Sequence, residues 1–156
     1  MVIGAGAVGL AIARALSGAG VSTLVLESQS TFGTGNSSRN SEVLHAGLYY
    51  PPGSLKESMC NAGKRKLHAY LKEKAVPFSQ CGKVVIASSP AEVPTLYKIF
   101  KNGQQSGIND LKLLSAKEVN DLEPSLSCVA GMLSPFTGIF DSHQLMVSYI
   151  VDLEES

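Results

Sequence analysis

Gly4, Gly6 and Gly9, in the opening stretch VIGAGAVGL, and Glu27, closing the stretch VSTLVLE, are residues whose types and spacing can do chemistry together. The glycines spell G-x-G-x-x-G between a stretch that reads as strand and one that reads as helix, the context in which this motif binds a dinucleotide. Gly4 permits a tight turn, Gly6 lets a pyrophosphate approach the backbone, and Gly9 allows close packing of helix on strand. The N–H groups at the helix start, around Ala7 and Val8, offer partial positive charge to phosphate. The Glu27 carboxylate is placed to accept both hydroxyls of an adenosine ribose and would repel a 2′-phosphate, which disfavours NADP. The pattern does not separate NAD from FAD, which share the ADP half. The alternative is an ordinary βαβ unit whose glycines serve turn geometry alone.

These residues need a βαβ unit to hold them. Val2 and Ile3 read as the tail of a strand. Residues 7–17 read as a helix, with Val8, Ile12, Ala15 and Leu16 at helical spacing, stopped by the SGAG of residues 17–20. Residues 21–27 are β-branched and aliphatic, which predicts a buried strand, parallel to the first because such crossovers are right-handed. A long loop rich in Gly, Ser, Thr and Asn follows, of the kind that is functional or disordered. Residues 54–75 read as a helix capped by Ser54, with Glu57 completing a capping box.

The remaining chain alternates short elements. Strands are expected at residues 83–87 and 111–115, and short strands within 129–140 around a turn at SPFTG. One helix begins near Pro90, with Pro94 in or near its first turn. A short one is capped by Ser115 and Glu118. The last starts about Ser142, with Leu145, Met146, Tyr149, Ile150 and Leu153 on its apolar side. No internal repeat is visible.

Composition excludes several classes. Thirteen Lys plus Arg balance thirteen Asp plus Glu among 156 residues, so charge does not suggest a nucleic-acid partner. Lys64, Arg65 and Lys66 read as a solvated helix face. Cys60, Cys81 and Cys128 form no CxxC pair, which argues for reduced thiols and against a metal. No apolar run reaches the ~18 residues that span a membrane.

The block NSSRNSEVLHAGLYYPPGSLKESMCNAGKRKL, with CGKVVIA, LEPSLSCVAGMLSPFTGIFD and HQLMVSYIVD in the same order, resembles the FAD-dependent L-2-hydroxyglutarate dehydrogenases of the D-amino-acid-oxidase-like flavoprotein superfamily. The resemblance extends over essentially the whole chain. It implies FAD as cofactor, a small 2-hydroxy diacid as substrate, an electron acceptor other than oxygen, and a mitochondrial location. The fold class it implies is α/β. A Rossmann-like FAD-binding βαβ would be joined to part of a mixed α+β substrate domain, truncated. Residues 1–75 would begin the FAD domain, 76–141 the substrate domain, and 142–156 a helix returning toward the FAD domain. Because the sequence starts inside the first strand, the chain reads as an N-terminal fragment, expected to be marginally stable alone.

In that light His45 becomes the candidate catalytic base or substrate anchor, since an imidazole titrates near the working pH. A purely structural role for it in the loop is the competing reading. Ser37, Ser38, Arg39, Asn40 and Ser41 are candidate donors to the pyrophosphate or the flavin edge, or else caps of their own loop. Tyr49 and Tyr50 either wall the pocket or pack in a core. His68, on a solvated face, and His143, near a helix start, are not favoured.

Overall fold

The computed structural model describes residues 1–155. In chain order its elements are β1 (Val2–Ile3), α1 (Ala7–Gly18), β2 (Val25–Leu26), β3 (Val43–Leu44), α2 (Leu55–Glu73), β4 (Phe78–Ser79), β5 (Lys83–Ala87), α3 (Val93–Gln105), β6 (Lys112–Ser115), α4 (Ala116–Leu122), β7 (Ala130–Ser134), β8 (Gly138–Phe140) and α5 (Ser142–Glu154). Two compact units emerge. One takes Met1–Val43, Ala69–Phe78 and the described residues from Phe140 onward; the other takes Leu44–His68 and Ser79–Ile139.

In the first unit β1 and β2 pair in parallel, Val2 opposite Val25 and Ile3 opposite Leu26, with α1 as the crossover. Side chains alternate between the faces of a strand. Val25 therefore packs with Ala5, Leu10, Phe32 and Met146, while Ile3 is 81% exposed and Leu26 44% exposed. The strand expected over 21–27 is thus shorter than its apolar run and only half-buried. A parallel strand is fully buried only when both faces are covered, and α1 covers one. The helix brings a second correction. Leu10 and Ala13 are its buried residues, whereas Val8, Ile12 and Leu16 line an exposed side. The chain has two apolar stripes on α1, and the one at the more obvious spacing faces outward.

The last helix, α5, packs on α1 and supplies Met146, Tyr149, Ile150 and Leu153 to the same core. Beside that core lies a charged knot. Asp152 accepts from Arg14 Nε, from Lys74 Nζ at 2.5 Å and from the Tyr70 hydroxyl at 3.0 Å. The Arg14 guanidinium lies 4.3 Å above the Tyr70 ring, a cation–π contact.

The second unit is built on an antiparallel sheet of order β5-β7-β6, with Val85 and Leu113 both opposite Met132. Met132 is fully buried among Ala46, Leu48, Ala87, Leu96, Ile108 and Leu111. The caps lie where local chemistry placed them. Ser115 Oγ accepts from Glu118 N and the Glu118 carboxylate accepts from Ser115 N, both halves of a capping box. Pro90 opens a 3₁₀ turn and Pro94 sits in the first turn of α3. Ser54 Oγ accepts from Glu57 N at 3.2 Å, but the Glu57 carboxylate turns to Gly53 N instead of closing the box. His68 is half-buried with Nε2 out of solvent, not on a solvated face.

Burial works to raise the Asp152 carboxyl, but hydrogen bonds from Lys74, Arg14 and Tyr70 outweigh it and hold its pKa below the ordinary value. A carboxylate lowered on folding contributes stability that is present above its unfolded pKa and lost as pH falls through the folded one. Asp152→Asn is expected to lower unfolding free energy by about 1–3 kcal/mol at pH 7. The difference from wild type should shrink in urea melts as pH falls through the lowered folded pKa, where the wild-type carboxyl is protonated too.

Candidate functional site

The glycine turn lies in the first unit and its geometry is set by sterics. Gly4 has φ +100°, a left-handed conformation open to glycine, and its N–H donates to Leu26 O at 2.7 Å. A Cβ on Gly9 would stand 2.0 Å from the carbonyl oxygen of Gly4. Only glycine lets the first turn of α1 sit this close to the strand end. Gly6 is the N-cap of α1, which carries no acidic residue in its first turn and no side-chain cap. A Cβ on Gly6 would fall 2.8 Å from Ser37 Oγ, which accepts from Ala7 N at 2.9 Å. The positive end of a twelve-residue helix therefore meets a bare backbone and a single hydroxyl. Glycine-shaped space, helix N–H groups and a hydroxyl are a donor set that suits a diphosphate.

Glu27 stands at the end of β2. Its Oε2 accepts from Ala5 N at 2.8 Å, and Oε1 from Gln29 N at 3.0 Å and the Ser28 hydroxyl at 3.2 Å. These bonds, the one from Ala5 first, hold its carboxyl below the usual glutamate pKa. The group is exposed and ionised, with lone pairs left to meet sugar hydroxyls. Val8 lies on the exposed stripe of α1, so at that position the backbone, not the side chain, belongs to the turn.

The five loop candidates divide. Ser37 is in direct contact with the turn. Ser38 Oγ donates to Thr34 O and Gly35 O. Asn40 Nδ2 donates to Ser37 O at 2.7 Å and to Ser142 Oγ at 3.0 Å, and its Oδ1 accepts from Glu42 N. Both amide ends of Asn40 are therefore engaged within the protein. Arg39 makes only weak bonds to Ser38, and Arg39 and Ser41 are exposed. His143, in the first turn of α5, stacks on Phe32 with centroids 5.3 Å apart.

His45 belongs to the second unit. The chain there runs Leu44, Ala46 and Leu48 inward, each at most 3% exposed, so His45 between them projects to solvent. Its ring stacks with Tyr50 at 6.4 Å, and Lys56 Nζ lies 4.8 Å from the Tyr50 ring centroid. Gly47 has φ +84°, and a Cβ there would meet Asn61 Oδ1 at 2.8 Å. Asn61 in turn donates to Glu57 Oε1 at 2.6 Å, and Glu57 is buried. Sequence reasoning missed this support. Its signal is an acid and an amide one helical turn apart, directly after the PPG turn. Among the described residues no group of three or more His, Cys, Asp or Glu is placed to hold a metal, and no helix is long and apolar enough to cross a membrane.

The sequence profile described as "FAD dependent oxidoreductase" matches residues 1–156. The chain belongs to this family. FAD is the cofactor that defines it, and the donor set around Gly4–Gly9 fits the diphosphate of that molecule. L-2-hydroxyglutarate dehydrogenase, mitochondrial, of Arabidopsis thaliana is 45% identical over 96% of the chain and 31% of the relative. The protein of that name from Homo sapiens is 34% identical over 100% of the chain and 34% of its own length. The chain thus spans about a third of the length of these curated relatives. Among solved structures, L-proline dehydrogenase from P. horikoshii superposes with TM-score 0.85 at 22% identity, over 98% of this chain and 40% of that one. L-alpha-glycerophosphate oxidase from Mycoplasma pneumoniae, with FAD bound, superposes with TM-score 0.84 at 25% identity, over 97% and 42%. The α/β fold read from the sequence is the fold of this flavoenzyme family.

Gly9→Ala is expected to destabilise the chain by about 1–3 kcal/mol, the usual penalty of forcing an atom into filled space. Gly18→Ala, where a Cβ meets nothing within 4 Å, is expected to stabilise by about 0.4–1 kcal/mol. Urea unfolding of the two variants beside wild type checks both signs.

Proposed function

We propose that this chain supplies the dinucleotide turn and the histidine loop of an FAD-dependent dehydrogenase that oxidises L-2-hydroxyglutarate to 2-oxoglutarate in the mitochondrion. The observation that carries the reading is identity to mitochondrial L-2-hydroxyglutarate dehydrogenases at 34–45% over 96–100% of the chain, a span that holds both the turn and the loop.

In this reading the N–H groups of Gly6, Val8 and Gly9 face the diphosphate, Ala7 acts through the Ser37 hydroxyl that its N–H holds, and Gly4 shapes the turn. The Ser37 hydroxyl, accepting from Ala7 N, donates its own proton to a phosphate oxygen. Glu27 accepts from the ribose hydroxyls. Ser38 and Asn40 hold the loop in shape, and the exposed Arg39 and Ser41 offer N–H donors to the cofactor or to a substrate carboxylate. FAD, when bound, supplies the two-electron acceptor that an alcohol-to-ketone oxidation requires. A ring nitrogen of neutral His45 takes the proton of the C2 hydroxyl as the C2 hydrogen departs with its electron pair, leaving the carbonyl. Exposure of His45 lets it return that proton to water. An acceptor other than oxygen then reoxidises the enzyme.

A second reading keeps the family and changes the substrate to an amine or glycerol phosphate. Its support is the superposition on L-alpha-glycerophosphate oxidase. A third reading, dinucleotide binding without catalysis, predicts flavin that no substrate bleaches.

Flavin-loaded protein is expected to turn over L-2-hydroxyglutarate and to leave D-2-hydroxyglutarate, sarcosine and glycerol phosphate unreacted; preference for any of the latter overturns the substrate assignment. His45→Asn is expected to lower kcat about 10²–10⁴-fold with bound flavin per protein unchanged. An unaltered kcat removes His45 as base.

A further inference from the structure

Glu42 stands out in the first unit as a residue the proposed function does not use. Its φ is +55°, in the left-handed region, where a side chain other than glycine or asparagine is uncommon. Such strain persists when surrounding bonds over-determine it, and here they do. Glu42 N donates to Asn40 Oδ1 at 2.6 Å, and Glu42 O accepts from Phe140 N at 3.0 Å. Its Oε1 accepts from Ser142 N at 3.0 Å and from the Ser142 hydroxyl at 2.8 Å. The carboxylate therefore lies at the N-terminus of α5, where the helix field favours negative charge.

These bonds close a ring. Ser142 Oγ donates to Glu42 and accepts from Asn40 Nδ2 at 3.0 Å. The same Asn40 amide donates to Ser37 O at 2.7 Å. At the far end Ser37 Oγ sits on Ala7 N, over the bare backbone of Gly6. A contact at the start of one helix is relayed through a loop to the start of another. The left-handed turn at Glu42 is what lets its backbone N–H point back to Asn40 while its side chain reaches Ser142.

We propose that Glu42 is a positioning residue for the dinucleotide site, fixing the loop 37–42 to α5 so that Ser37 stands at the α1 N-terminus. This rests on the FAD reading above. Ser37 loses its fixed place when the Glu42 carboxylate is removed, because Ser142 then has no acceptor to hold it toward Asn40. Glutamine keeps that acceptor oxygen and restores the ring.

The test uses the full chain, with FAD and ADP as probes and tryptic cleavage after the exposed Arg39 as a measure of loop fixation. Glu42→Ala is expected to weaken FAD and ADP binding about tenfold and to speed cleavage at Arg39, and Glu42→Gln to restore both. Asp141→Ala removes the other cap of α5, Asp141 Oδ1 to Gln144 N at 2.8 Å, without touching the loop. It is expected to lower thermal stability while leaving affinity and cleavage at wild-type values. Equal losses in Asp141→Ala and Glu42→Ala reduce Glu42 to a helix cap and overturn the proposal. Normal wild-type binding with Glu42→Ala unchanged in both readouts overturns the role of Glu42 alone. Wild-type protein that binds neither probe overturns the dinucleotide reading, and with it the purpose assigned to Glu42.

Discussion

The first unit depends on one approach of backbone to backbone: α1 begins so close to the end of β1 that a single carbon on Gly9 would overlap the carbonyl of Gly4. That closeness fixes the direction in which the helix leaves the strand. Its first bond, Leu10 N to Gly6 O at 2.9 Å, then points the remaining N–H groups of the first turn into the space beside Gly6. The other end follows from the same constraint, because Arg14, two turns on, reaches Asp152 and Tyr70. Glu27 adds a second tie by accepting from Ala5 N. Turn, strand end and helix start are thereby one rigid piece, and a diphosphate would meet dipoles already aligned instead of ordering them on arrival.

The second support of this piece is α5. Met146 packs with Ala5 and Leu10, and its Sδ and Cε occupy the space a side chain at residue 33 would need. The loop between β2 and β3 is long and polar, and nothing in its own sequence would keep it in one shape. It is held instead at separate points: Gly33 N to Ala5 O at 3.0 Å, Ser37 on Ala7, and Asn40 and Glu42 on Ser142. A loop fixed at both helices can offer exposed groups such as Arg39 without the ordering penalty that free loops carry on binding.

Much of this was legible because backbone sterics is written in glycine. Gly4, Gly6 and Gly9 announce the turn, and Ser115 with Glu118 announces a helix start, since both depend on residues near in sequence. What was not legible depends on which neighbour arrives. Val8, Ile12 and Leu16 have a spacing as good as any buried stripe, but Met146 and Ile150 pack on the side bearing Leu10 and Ala13. Glu57 reads as half of a capping box, yet its carboxylate serves Gly53 and Asn61. Asn40 reads as a donor to a ligand or a cap of its own loop, and its amide bonds Ser37 O and also Ser142 Oγ, a distant partner with no signal in the local sequence. Glu42 gave no signal, because a left-handed backbone is read from glycine or asparagine and here is imposed by bonds to residues about a hundred positions away.

The loop around His45, the base in the proposed function, is held by a different device. A general base works only within hydrogen-bond reach of the proton it removes, and loops are the most mobile part of a fold. Around His45 the chain is anchored by Leu44, Ala46 and Leu48, all buried. Displacing the imidazole would pull aliphatic groups from the core, at roughly 1.5–3 kcal/mol for each large side chain. Asn61, braced by Glu57, closes over Gly47 from the helix that follows, and Tyr50 lies against the ring. The segment between Leu44 and Leu48 therefore exposes one titratable side chain while its neighbours anchor it. The nucleotide loop is fixed by polar bonds to helix ends, and this one by apolar burial. A polar anchor would suit the surface proposed to receive phosphate, and an apolar anchor would suit the proposed base, whose own polar atoms must stay free for a substrate.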